Sequence, residues 1–158
     1  MYRPSRNIEA STIQKVTDIL TSESWNNVSV EKTFSRVYNK ELPIVCVRIE
    51  DTIHNFVEIG SHSTQRTALV LLDIFADNDG QRLDLKDALL SNLKTGWTYY
   101  EYVISEGKII SKIAKGKLSV TEIHDTPLNF NVDKSNLAKH DRYRHLISLN
   151  VKLSQVEE

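Results

Sequence analysis

Three groups of residues have the types and spacing to invite chemistry. Asp77, Asp79 and Gly80 suggest a calcium loop. With Gly80 as the obligatory glycine, Phe75 and Lys86 fall where such a loop needs its first and last acidic ligands. The cluster reads better as a turn that opens a helix, with negative charge near the helix N-terminus. Glu58, Asp73 and Asp84-Leu85-Lys86 suggest a metal-dependent nuclease, whose carboxylates hold a divalent ion at the scissile phosphate. That arrangement needs the acid-x-Lys pair on a strand. Here the pair falls on a predicted helix, where Asp84 and Lys86 point about 200° apart. His140-Asp141 and His145 suggest a metal site, but on a strand an odd separation sends the two histidines to opposite faces. With His124 the only other histidine in this half, they read as one loop histidine and one sheet-face histidine. Cys46 lies in an apolar strand with no His or Asn assignable to it, which fits a structural thiol. No serine sits in a nucleophile elbow, and the five glycines form no phosphate loop. The residues therefore predict no catalytic group, no metal ligand and no cofactor.

Two binding features remain. Trp97, Tyr99, Tyr100 and Tyr102 make an aromatic strand. Lys108, Lys112, Lys115 and Lys117 make a basic stretch after it. Stacking aromatics beside phosphate-neutralising lysines would suit single-stranded nucleic acid. The same aromatics would suit a protein interface, where Trp and Tyr are enriched. Charge decides between them: 20 Lys and Arg against 21 Asp and Glu give a net charge of -1. Bulk attraction to nucleic acid is excluded, so a protein interface, or simply a solvated hairpin beside a half-buried strand, is favoured over nucleic acid.

The elements that must position these residues come from one domain, residues 1–158. Forty per cent hydrophobic and 26% charged residues make a globular profile. A chain of 158 residues buries a core without disulfides. No apolar run approaches the ~18 residues of a membrane helix, and MYRPSRNIEAST lacks the apolar centre of a secretory signal, so a cytoplasmic site of synthesis and residence is expected.

Ile13, Val16, Ile19 and Leu20 recur at helical spacing and predict a helix over Ile8–Leu20. Asn7 would cap an early start, or Ser11 with Gln14 a later one. Residues 21–42 are polar and predict a connection with one short strand, pinned by Trp25 and Phe34. Ile44–Ile49 is β-branched and predicts a strand, Asp51–His54 a turn, and Phe56–Ile59 the return strand, ended by Gly60 and Ser61. Thr67–Ala76 is apolar on both faces, the mark of a central or doubly covered strand. Gln81–Leu93 carries Leu85, Leu89 and Leu93 in one stripe and predicts an amphipathic helix, stopped by Thr95-Gly96. Trp97–Ile104 predicts a strand and Gly107 a turn. Lys108–Lys117 with Leu118–Ile123 reads as a hairpin or an extended arm. Asp125–Asn136 reads as a polar loop. Tyr143, His145, Ile147, Leu149, Val151 and Leu153 alternate with polar residues and predict the last strand; Gln155–Glu158 is left as a tail. The fold class is α+β: a mainly antiparallel sheet, two helices packed on one face, plus the hairpin or arm.

This order of elements resembles the tail terminator (tail completion, or minor tail protein U-like) family of tailed bacteriophages. The likeness is carried by the N-terminal helix, the Pro43-led strand, the return strand ending Val57-Glu58-Ile59-Gly60, the long strand Arg66–Ala76, the acidic turn, the helix Gln81–Leu93 and the apolar final strand Arg144–Leu153. Trp97–Ile123 is longer than a minimal member needs. The resemblance implies a non-enzymatic virion neck subunit, assembled in the host cytoplasm. It implies a homo-oligomeric ring, usually a hexamer, that caps the tail tube, stops its growth and meets the head–tail connector. DNA would pass through without sequence-specific binding. Interface residues on this reading are Glu58, Arg66, the four aromatics and the four lysines. The rival reading is a nucleic-acid-binding accessory domain using the aromatic strand and the lysines.

Overall fold

The structure is a computed structural model that describes residues 3–128 and 132–157. The first helix, α1, spans Pro4–Ser22. It starts at Pro4, whose fixed φ and missing N–H suit the first helical position. Neither expected cap is a cap: Asn7 and Ser11 lie inside the helix and are buried. The connection holds one short strand, β1 (Ser29–Glu31), and a one-turn helix, α2 (Phe34–Val37), that polar composition had hidden. Trp25 and Phe34 do pin it, each packing on a cluster of buried residues.

The expected turn at Asp51–His54 is absent. Strand β2 runs unbroken over Ile44–Phe56, with a bulge between Ile49 and Thr52. Backbone pairing with β3 (Thr64–Ala76) continues to Phe56↔Thr64, so partner pairing overrides the turn propensity of the polar residues. The reversal comes later, over residues 57–63, and places Val57 and Ile59 in the turn rather than on a strand. Helix α3 spans Asp79–Leu93. Asn78 Oδ1 accepts the Gln81 N–H at 2.8 Å and Gln81 Oε1 accepts the Asp77 N–H at 2.8 Å, a reciprocal cap. The acidic turn is therefore helix-opening structure.

Strands β4 (Trp97–Ser105) and β5 (Lys108–Leu128) form the hairpin, turned by Glu106 and Gly107 at φ 50 and 78. Residues 108–123 hold no hairpin of their own. They belong to one long strand that pairs first with β4 and then, from Leu118 on, with the last strand, β6 (Tyr143–Glu157). The expected loop loses Asp125–Leu128 to β5 and keeps two 3-10 turns, Lys134–Asn136 and Lys139–Asp141; residues 129–131 lie outside the described residues. The expected tail is strand as far as Glu157, because Val156 and Glu157 pair with Gln65 and Thr64.

The six strands form one sheet in the order β1-β2-β3-β6-β5-β4. All neighbours are antiparallel except β1 and β2. Helix α1 touches β4 at one edge and β1 and β2 at the other, so the sheet curls around it. One core cluster joins Ile8, Val16 and Ile19 of α1, Leu85, Leu89 and Leu93 of α3, and alternate residues of β2, β3 and β6 such as Val45, Leu72 and Leu149. Burying each such aliphatic chain contributes about 1.5–3 kcal/mol. The intervening residues Ile44, Cys46 and Phe75 point the other way and form a second cluster with Val37 of α2. The described residues thus form an α+β unit with three α-helices where two were expected.

Candidate functional site

The aromatic strand divides by register. Trp97 and Tyr99 are core residues, 4% and 0% exposed. Burial pushes the Tyr99 hydroxyl above its ordinary range. After the bulge between Tyr99 and Tyr100, Tyr100 and Tyr102 turn to a half-buried face, with ring centroids 6.3 Å apart. Two of the four expected interface aromatics therefore hold the fold instead. Alternation already puts Trp97 and Tyr99 on one face and Tyr100 and Tyr102 on the other. The bulge adds its extra residue, Lys115, to β5, and only the fold shows which face is the core.

Strand β4 is a sheet edge, and α1 covers part of it. Ser11 Oγ accepts the Tyr100 backbone N–H at 3.0 Å, and Asn7 Oδ1 accepts that of Tyr102 at 3.3 Å. The Asn7 amide donates to the Tyr99 hydroxyl at 3.3 Å. The match is geometric: four helical residues rise ~6 Å and two strand residues ~6.8 Å. Beyond Tyr102 the β4–β5 hairpin projects with Val103, Ile109, Ile110 and Ile113 exposed. The lysines Lys108, Lys112, Lys115 and Lys117 lie exposed along β5. Lys112 Nζ sits 4.5 Å from the centroid of the Tyr100 ring.

Glu58 and Arg66 are not brought together. Arg66 turns inward: its Nη1 donates to Ser5 Oγ at 2.9 Å and its Nε lies 3.0 Å from Glu157 Oε1. Glu58 is exposed in the β2–β3 tip, between apolar neighbours. There Phe56 is 69% exposed, Val57 49% and Ile59 fully exposed. Ile53, just before the tip on β2, is exposed as well. In the sequence this tip is Phe56–Ile59, the segment expected as the return strand, bounded by Asn55 and Gly60.

The carboxylates of the nuclease pattern are scattered. Asp73 faces away from α1 and α3, buried between two arginines: Arg48 Nε donates to Oδ2 at 3.0 Å and Arg144 Nη2 to Oδ1 at 3.3 Å. Beneath it, burial pushes the Cys46 thiol up to about 11, with the Asp73 charge adding to the effect. Lys86 points from α3 to Asp125, 3.6 Å away. Glu58 stays at the far tip.

His145 faces the helices, as its place in the alternation implies. Arg82 Nη1 lies 2.7 Å from His145 Nδ1, and His145 Nε2 lies 2.8 Å from Asp125 Oδ1. A guanidinium only donates, so Nδ1 accepts and Nε2 carries the proton given to Asp125. Burial is the main force lowering this imidazole's pKa, with the Arg82 charge adding to it; Asp125 pulls the other way. The bond from His145 in turn lowers the Asp125 carboxyl. His140 lies in the second 3-10 turn, its Nε2 2.7 Å from the Lys40 carbonyl.

These surfaces belong to an α+β protein with a curled, mostly antiparallel six-stranded sheet. No family model and no curated protein matches the chain. Among the described residues no helix is long and apolar enough to cross a membrane.

Proposed function

We propose that the chain is a non-enzymatic structural subunit of a tailed-phage neck, of the tail terminator kind. Copies assemble into a ring, a hexamer by the resemblance, that caps the tail tube, ends its polymerisation and meets the head–tail connector. DNA passes through the ring without base-specific contact. The protein acts in the virion, after assembly in the host cytoplasm. In this reading α1 and α3 pack on one face of the sheet.

The observation that carries the reading is the β2–β3 tip. Phe56, Val57 and Ile59 stand in solvent at the end of a hairpin, where they contribute nothing to the core. Contiguous exposed apolar groups of this kind mark association surfaces. The element order supplies the choice of assembly. The test is the mass of the purified chain by light scattering, alone and with the phage tail-tube protein, across salt concentrations. A discrete ring is expected. A monomer under every condition would overturn the proposal.

A second reading is favoured by one contact, the Lys112 ammonium over the Tyr100 ring beside the exposed β5 lysines. It is a nucleic-acid-binding domain. Its mark would be affinity for single-stranded DNA that falls steeply with added salt.

A further inference from the structure

The curl of the sheet leaves a seam. β1 ends it on one side and the β4–β5 hairpin on the other, and both stop against α1 without meeting. Between them lies a cleft of about 390 Å³, in which Ala10 and Ile13 of α1, Val30 of β1, Tyr102 of β4 and Ile109 of β5 give the apolar lining. Its rim is basic on balance, and most so on the β1 side. Arg6, Lys32 and Arg36 are exposed there against two acids, the half-buried Glu9 of α1 and Glu31, which Lys40 already engages at 3.3 Å.

The β2–β3 tip has the complementary character. Its apolar side chains, Phe56, Val57 and Ile59, surround a single exposed acid, Glu58. We propose that the β2–β3 tip of one copy seats in the α1–β1 cleft of a second copy, with Ile59 and Val57 against Ala10, Ile13 and Val30, and Glu58 against Arg36 and Lys32. Apolar surface meets apolar surface, and one acid meets a basic rim.

The contact uses two different patches, so every subunit gives a tip and receives one. Such a heterologous contact propagates until the rotation closes a ring. A contact made by one hairpin tip in one cleft of about 390 Å³ is small beside the ~800 Å² per partner of a standard stable complex. A single contact is therefore weak, and closure, which gives every subunit two contacts, is what holds the assembly. The inference rests on the ring reading and specifies its contact.

Cross-linking and mass test it together, using the full chain. The only cysteine, Cys46, is buried, so it is kept and new thiols are placed at the contact. A mixture of the Ile59→Cys and Ala10→Cys variants should oxidise to a disulfide dimer, and the double variant to a ladder ending at the ring. Wild-type Cys46 protein should give neither. Ile59→Asp changes a fully exposed side chain, so the melt of dilute, unassembled protein should match wild type while association weakens at least ~tenfold. Glu58→Arg should weaken association too, and Glu58→Arg with Arg36→Glu should restore part of it. Rings of unchanged mass from Ile59→Asp, with no cross-link, would overturn the tip contact and leave the ring reading standing. A strict monomer at every concentration, with and without the tube protein, would overturn both. Loss of tube-protein binding with self-assembly intact would assign the tip to that partner and overturn the second-copy contact.

Discussion

Asn7 holds Tyr102 by the backbone. Its Oδ1 accepts the outward N–H of the edge strand at 3.3 Å, 95 residues away in sequence. Ser11 repeats the contact at Tyr100, one helical turn later. An edge strand exposes a row of unpaired donors that invites pairing with other chains. Two polar side chains at helical spacing occupy part of that row. The helix thus protects the edge with side chains while its apolar face fills the curl of the sheet.

Asn7→Ala leaves the Tyr102 N–H and the Tyr99 hydroxyl without this partner in a buried setting. The expected cost is about 1–3 kcal/mol, and about 1 kcal/mol for Tyr99→Phe, which removes only one bond. Urea unfolding of each variant measures it. Asn7→Ala and Ser11→Ala act on one strand edge, so the pair should be non-additive by more than ~0.5 kcal/mol.

Asp73 is a structural carboxylate, 1% exposed between Arg48 and Arg144. Asp73→Asn leaves two guanidinium groups facing a neutral amide. The expected loss is about 3 kcal/mol, at the lower end for a broken buried pair because Arg48 still reaches solvent. Denaturant midpoints check it. An unchanged midpoint would contradict this account.

Gly96 and Gly107 share a left-handed backbone, φ +79 and +78. They differ in surroundings. A Cβ at Gly96 would lie 2.4 Å from the Leu118 carbonyl oxygen, while at Gly107 no atom beyond its two chain neighbours comes within 4 Å. Gly107→Ala should therefore cost only the conformational term, about 1–2 kcal/mol. Gly96→Ala should cost clearly more, because sheet backbone must also shift. Comparing the two melting temperatures isolates the steric part.

His145 makes stability depend on pH in a definite direction. Its folded pKa is lowered from 6.5, chiefly by burial. The unfolded chain therefore takes up this proton first as pH falls. Stability is full above about 6.5 and declines as pH drops through the lower folded value. Protonation would also put a proton on Nδ1 against the Arg82 guanidinium, while Asp125 and Lys86 face the other nitrogen's side of the ring. Asp125, itself lowered, acts with the same sign at more acidic pH. Urea midpoints at pH 7 and pH 5 should differ less in His145→Gln than in wild type.

The amino-acid sequence by itself determined the elements whose burial is written in their own periodicity. Strand β6 alternates, β3 is apolar on both faces, and α3 carries its leucine stripe, because an apolar side chain marks its buried face wherever its partner comes from. The doubly apolar character of β3 also foretold its place inside the sheet, between β2 and β6. Tertiary structure alone decided how ambiguous residues are used. Asn7 and Ser11 have the chemistry of caps, and become bridges because β4 passes within hydrogen-bond reach. Asp51 to His54 have the chemistry of a turn, and become strand because β3 offers a backbone to pair with. Trp97 and Tyr99 fit a surface or a core equally well, and the curl of the sheet around α1 buries them. The exposed tip has the same origin: Phe56 and Ile59 stand in solvent because β2 and β3 run past the last helix that could have covered them. A polar or amphipathic side chain takes its role from what the fold brings near it, and those neighbours lie tens of residues away in the chain.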